Sequence, residues 1–307
     1  MGGFAVRRRR WGLAAALTLV LLAAGCGNPG GVDGNLTNGW AAMGVPTGFT
    51  PTAGTCHLAN FSTFGPRASY EEVDCDVKHR TETVYVGTYP NPAAAAPTPP
   101  ADDSAGARAA YAVCDQKTSA YVGGPWRTAR LWVGVTQPTR AAWAGGARWF
   151  RCEVVESSSV EDDGGLVQRL GSLRDALKDR ASSLLLTCYA VQLDAQGKIG
   201  RMPAAPCTSR HNAEFAGVWN AGERAYPKTD QQWNDFHDGC RRLIASYVGV
   251  PDDADLQYRA GVISLPAGDD VWALGERGVR CYLWVDTTTL TSSLKGKGKK
   301  ALPVQYQ

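Results

Sequence analysis

The chain has 307 residues, 44% hydrophobic and 20% charged, an ordinary globular composition with length for one large or two small cores. Collagen, coiled coil and wholesale disorder are excluded. The formal charge of +3 belongs to the N-terminus: without Arg7, Arg8, Arg9 and Arg10, 28 Lys+Arg face 29 Asp+Glu, a net of −1. No basic field remains that would speak for nucleic acid.

The first element reads as an export signal. The four arginines precede an apolar run, Trp11 to Ala24, too short for a comfortable membrane span of about 20 residues. It closes in Leu22-Ala23-Ala24-Gly25-Cys26, which resembles a bacterial lipobox, although Ala23 stands where leucine is commoner. The expectation is a signal peptide over 1–25, palmitate-type acylation at Cys26 and a Gly/Asn-rich flexible tether over 26–45. The folded body would then be held on the extracytoplasmic face of the cell membrane.

Eight cysteines follow, Cys56, Cys75, Cys114, Cys152, Cys188, Cys207, Cys240 and Cys281, and their spacing repeats: 19, 39 and 38 residues, then 19, 33 and 41. Neighbouring residues repeat with them. Cys75-Asp-Val-Lys78-His79-Arg-Thr-Glu82 matches Cys207-Thr-Ser-Arg210-His211-Asn-Ala-Glu214, and Tyr121-Val-Gly-Gly-Pro125 matches Tyr247-Val-Gly-Val-Pro251. Trp143-Ala-Gly-Gly-Ala-Arg148-Trp-Phe-Arg151-Cys152 matches Trp272-Ala-Leu-Gly-Glu-Arg277-Gly-Val-Arg280-Cys281, and Ser172-Leu173-Arg174 matches Ser293-Leu294-Lys295. The pattern is a tandem duplication. In an exported chain, eight cysteines read as four disulfides. Pairing within each copy leaves three connectivities, of which first with second and third with fourth is favoured: Cys56–Cys75, Cys114–Cys152, Cys188–Cys207 and Cys240–Cys281.

After each repeated His an alternating stretch predicts a strand. Asn91 to Pro100, rich in Pro and Ala, reads as a surface loop. Over 230–244 the spacing of Trp233, Phe236, Cys240 and Leu243 or Ile244 predicts a helix carrying the third cysteine. Strands are expected around 131–136, 149–155, 261–265 and 279–285. The spacing of Leu166, Leu170, Leu173 and Leu177 allows a short helix that Gly171 weakens. The fold class is therefore α+β: two tandem small disulfide-stapled units, each an antiparallel sheet of about four strands with one packed helix. The first would span 46–175, the second 180–296, and a basic tail would occupy 297–307, where Lys297, Lys299 and Lys300 follow Lys295.

An export signal, C-x-x-[KR]-H-x-x-E, a Tyr-Pro, a helical cysteine and W-A-x-G-x-R-x-x-R-C, all but the signal seen twice, resemble the septum formation family of actinobacterial envelope proteins. The resemblance implies an exported or membrane-attached protein linked to cell division, and it carries over no catalytic residue.

Candidate binding residues are the repeated Lys78, His79, Glu82, Arg210, His211 and Glu214, and the arginines Arg148, Arg151, Arg277 and Arg280. Cys-x3-His with a carboxylate nearby supplies zinc-type ligands, but a cysteine locked in a disulfide leaves too few; a hydrogen-bonded His/Glu pair is the simpler reading, so no metal and no cofactor are expected. Lys78/His79 and Arg210/His211 also suit contact with an anionic envelope component such as a wall polymer, and the four arginines suit bidentate binding of carboxylates or phosphates or an internal salt bridge to Glu82 and Glu214. Trp143 and Trp272, in register beside a disulfide, read as core; Trp126, Trp132 and Trp149, which have no counterpart, read as surface candidates for a glycan. His57 and His237, also without counterparts, read as incidental. No nucleophile motif or phosphate-binding loop is present. The leading reading is a non-catalytic envelope adaptor or ligand-binding module whose partners are the membrane and division or wall-synthesis proteins. The alternatives are a metal-dependent cell-wall hydrolase using the His/Glu pairs and a passive envelope stabiliser.

Overall fold

The first half of the folded body is organised by six strands: β1 (Thr55–His57), β2 (Phe64–Gly65), β3 (Glu72–Val73), β4 (Thr81–Thr88), β5 (Leu131–Pro138) and β6 (Trp149–Glu156). These are seen in a computed structural model that describes Asn35, Gly39, Trp40 and residues 49–65, 67–161 and 165–305. The segment read as an export signal, Cys26 and most of the expected tether lie outside the described residues. The strand order is β2-β5-β6-β4-β1-β3, with β2 parallel to β5 and every other pair antiparallel.

Helix α1 (Ala105–Val122) covers one face of this sheet. It starts where the Ser104 hydroxyl accepts from the Ala107 N–H and stops at Gly123, whose φ of 80° needs a residue without a Cβ. Cys114 on α1 is bonded to Cys152 on β6, so Phe150, Cys152 and Val154 face the helix. The alternate residues Trp149, Arg151, Glu153 and Val155 face the other way and are buried as well. That second face is covered by the chain between Phe49 and Tyr70: Phe49 packs edge-on to Tyr70, Tyr70 to Trp149, and Phe61 to Trp132. Short α2 (Arg140–Ala144) links β5 to β6.

The second half repeats the plan with β7 (Cys188–Tyr189), a β8 (Gln192–Leu193) and β9 (Ile199–Arg201) hairpin, β10 (Ala204–Ala205), β11 (Ala213–Asn220), β12 (Gly261–Pro266) and β13 (Gly278–Trp284). Its five-stranded sheet runs β10-β7-β11-β13-β12, antiparallel throughout. Helix α3 (Asp230–Val248) opens on a capping box between Thr229 and Gln232 and ends at Gly249, φ 83°. It buries Phe236, Gly239, Cys240, Ile244, Ala245 and Val248. Gly239 lets the helix lie on Trp219, because a Cβ there would meet the indole at 2.4 Å. Cys240 is bonded to Cys281 on β13, and α4 (Asp269–Ala273) joins β12 to β13. The remaining bridges are Cys56–Cys75 and Cys188–Cys207.

The strand counts exceed the four expected for each half. The additional strands are short segments laid down by the chain before the repeated His: β2 and β3 at the edges of one sheet, β10 at the edge of the other, and the separate β8–β9 hairpin. Nor do two separate units emerge, since Gly48–Gln307 packs as one compact unit.

The helix expected from Leu166 to Leu177 does not form. Leu173, Asp175 and Leu177 donate their N–H groups to Glu82 and to the Tyr121 and Val122 carbonyls rather than back along their own segment, and Gly171 and Asp175 have positive φ. The Pro/Ala stretch is a loop with one 3-10 turn, clamped by the Trp143 indole and the Arg148 guanidinium on the Ala96 and Ala94 carbonyls. The basic tail is anchored: Lys297, Lys299 and Lys300 are exposed, but Leu302 is buried against the end of α3. Among the described residues no helix is long and apolar enough to cross a membrane.

Candidate functional site

The repeated motifs converge at one point in each half. His79 and Glu82 stand at the entry to β4, both fully buried. His79 Nδ1 lies 2.8 Å from the Val77 carbonyl and Nε2 lies 3.0 Å from Glu82 Oε1. Glu82 Oε1 also accepts from the Leu173 N–H at 2.7 Å, while Oε2 accepts from the Ser172 hydroxyl at 2.8 Å and the Tyr121 hydroxyl at 3.0 Å. Four donors occupy the four acceptor positions of one carboxylate.

The second half reproduces the cluster group for group. His211 contacts the Ser209 carbonyl at 2.7 Å and Glu214 Oε1 at 3.2 Å. Glu214 accepts from Leu294 N–H at 2.8 Å, Tyr247 at 2.7 Å and Ser293 at 2.7 Å. The tyrosines come from the repeated Tyr-Val-Gly at the end of α1 and α3, and the serine and leucine from the Ser-Leu-basic triplets. Burial above all, and the adjacent carboxylate, hold Tyr121 and Tyr247 above the usual phenol pKa, so both donate as neutral hydroxyls. Arg174 and Lys295 lie over the two tyrosine rings.

The chemistry of this cluster is closed. In each half a cysteine sulfur, an imidazole nitrogen and a carboxylate oxygen approach within 4.8 Å (Cys56, His79, Glu82; Cys188, His211, Glu214), the distances a metal centre needs. The donor set does not fit one: both sulfurs are in disulfides, both ring nitrogens face acceptors, and each carboxylate is saturated. The arrangement ties helix end, strand entry and closing turn together around a buried, hydrogen-bonded His–Glu pair.

The arginines do not pair with Glu82 or Glu214. Arg148 and Arg277 lie over Trp143 and Trp272 at 4.3 and 4.9 Å and donate to the carbonyls of those same tryptophans. Arg151 is buried between Glu153, the Ser69 carbonyl and the Tyr70 ring. Burial pushes Glu153 up to about 7, against the pull of that guanidinium. Its counterpart Arg280 crosses instead to the first half and donates to the carbonyls of Arg127, Ala129 and Leu131 at 3.1, 3.0 and 2.8 Å. A different arginine, Arg169, approaches Glu82 at 3.9 Å. Lys78 and Arg210 are exposed beside the clusters.

Trp126 and Trp149 are buried, against the surface role expected of them, and Trp132 is half-buried. Covering both faces of the first sheet is what buries Trp126 and Trp149. Trp143 and Trp272 are core residues as expected.

Sequence reasoning passed over three groups. His57 is buried, with Nδ1 donating to the Glu71 carbonyl and Nε2 accepting from Thr83, and burial, with Arg151 near, pushes its pKa down to about 4. Glu276, fully buried, takes a two-point contact from Arg127 at 2.6 and 2.5 Å and the Tyr111 hydroxyl, bridging the halves. A cleft of about 390 Å³ opens beside that bridge, among Trp126, Trp132, Phe61, Val271 and Arg280. Glu276 had a signal: it is the one acid in the repeated motif and stands where the first half has Ala147.

The family described as septum formation matches residues 53–281, both halves in one continuous stretch. The chain belongs to the septum formation family. Membership points to a cell-division-related envelope protein. No curated protein matches the chain, and no solved structure matches it.

Proposed function

We propose that this septum formation protein is an exported, lipid-anchored, non-catalytic adaptor or ligand-binding module of the cell envelope, attached through Cys26 on the extracytoplasmic face and acting near the division or wall-synthesis machinery. We take its folded body to be a duplicated unit whose two copies have fused into one body. Location rests on the lipobox and family; the non-catalytic character rests on one observation. The residues repeated most faithfully, His79/Glu82 and His211/Glu214, spend their hydrogen-bonding capacity internally, which is what a scaffold asks of them and what a hydrolase would not. The metal-dependent hydrolase reading has no open ligand position to use.

The test is the position of a fluorescently tagged, lipobox-intact chain in dividing cells, beside its Cys26→Ala variant. Enrichment at the septum, with release of the variant from the membrane fraction, is the expected result. A uniform envelope signal would overturn the division role. Hydrolysis of purified cell wall by the wild-type chain, lost in Glu214→Gln, would overturn the non-catalytic reading.

A further inference from the structure

The registers of β5–β6 and β12–β13 align the halves residue by residue: Val135 faces Cys152 as Ser264 faces Cys281. Counting back five positions places Arg130 against Arg259, and counting on from the cysteines places Glu156 against Val285. The bridges His79 to Arg169 and His211 to Leu290 likewise place Arg169 against Leu290.

In the first half these residues form an ion network, with Glu156 accepting from Arg130 at 3.3 Å and from Arg169 at 3.0 Å. In the second half Val285 and Leu290 replace the acid and one arginine, but the other arginine remains. Arg259 is only 8% exposed. Its Nη1 donates to the Leu302 carbonyl at 2.9 Å, its Nε has no partner, and no carboxylate among the described residues forms an ion pair with it.

The space that the lost network would fill is a cavity of about 430 Å³, lined by Arg259, Val285, Leu290, Leu294 and Leu302 and also by Asp286, which makes no ion pair with Arg259. Trp284, which stands where the first half has Val155, also lines it, and its buried indole N–H is unpartnered. A buried guanidinium without a counter-charge is costly. Here that cation and an indole donor border one cavity of the size that holds a small ligand, with Leu290, Leu294 and Leu302 on one side and Gln257, Asp286, Thr288 and Gln305 also in its lining.

We propose that this cavity binds a small carboxylate ligand with an apolar body, its carboxylate taking the place that Glu156 occupies in the first half. The carboxylate accepts from Arg259 and Trp284 while the body lies against Leu290, Leu294 and Leu302. Arg259 is then a binding residue, and Val285 is the substitution that opened the site. The inference stands apart from the septal role, because the site belongs to the folded body wherever the protein resides.

The experiment measures calorimetric binding and thermal midpoint of the full chain with three probes: N-acetyl-leucine, its uncharged amide and phenyl phosphate. Saturable binding of N-acetyl-leucine alone is expected, weakened about tenfold or more in Arg259→Gln. Binding of the amide as tightly as the acid, of phenyl phosphate only, or of no probe would overturn the proposal. Val285→Glu provides the second arm, since it rebuilds the first half's internal acid. It is expected to raise the midpoint by about 2 °C or more and to abolish N-acetyl-leucine binding. A lowered midpoint, or binding that survives in Val285→Glu, would overturn the proposal even if Arg259→Gln failed to fold.

Discussion

At the residue scale, what was legible was what is repeated. His79, Glu82, His211 and Glu214 stood out because two copies of the motif agree, and the pairing of His with Glu followed from chemistry alone. The other donors, Tyr121, Ser172 and Leu173, are separated from Glu82 by 39 to 91 positions, and only the fold brings them in. His57 was illegible for the opposite reason: the second half has Tyr189 in its place, and no neighbour in sequence signals its burial. It nevertheless gives a pH signature. Its pKa is pushed from 6.5 down to about 4, so between these values the unfolded chain binds a proton that the folded chain does not, and stability falls as pH drops through that window. The lost increment is on the order of 3 kcal/mol. His57→Gln removes the proton-binding group, so its denaturant-measured stability is expected to fall less than that of wild type between pH 7 and pH 4. Parallel stability curves for the two proteins would show that His57 takes up its proton without disturbing the fold.

At the element scale, the six long strands were readable from alternation and from the repeat, α3 from its apolar period and α1 from its match to α3, and the favoured pairing matches the bridges seen. The short edge strands were not readable. Segments such as β2 and β10, two residues each, carry no period and exist because a neighbouring strand offers free backbone groups. Two of the bridges staple a helix to its sheet, and the other two hold the loops that precede the repeated His. The chain-entropy argument ranks them: the Cys240–Cys281 loop spans 41 residues and the Cys56–Cys75 loop 19, worth about 4 and about 3 kcal/mol. The pair Cys240→Ser with Cys281→Ser is therefore expected to lower unfolding free energy more than Cys56→Ser with Cys75→Ser, both retaining their far-UV signal. The reverse order would mean that strain or residual structure outweighs loop entropy in one of the two bridges.

At the scale of the whole molecule, residues 48–307 pack as one body, and the polar contacts that join its two halves lie where their sequences differ. Arg151 serves its own half, whereas Arg280 at the same position reaches the carbonyls of Arg127, Ala129 and Leu131 in the other. Ala147 has Glu276 as its counterpart, and that acid receives Arg127 and Tyr111 from the first half. A single family match running across both halves accords with this joint. Because Glu276 is buried and accepts from both partners, truncating it strands the Arg127 guanidinium with Asp115 alone, a loss of about 3–5 kcal/mol for a broken buried pair. Scanning calorimetry of the wild-type body is expected to show one transition. Glu276→Ala is expected to split it into two, one for each sheet and its helix, while Arg127→Met with Glu276→Met, which removes both charges and keeps the volume, restores much of the cooperativity. A single, merely shifted transition in Glu276→Ala would place the coupling in the apolar contacts of Val271 and Leu274 with the first half's core rather than in the ion pair.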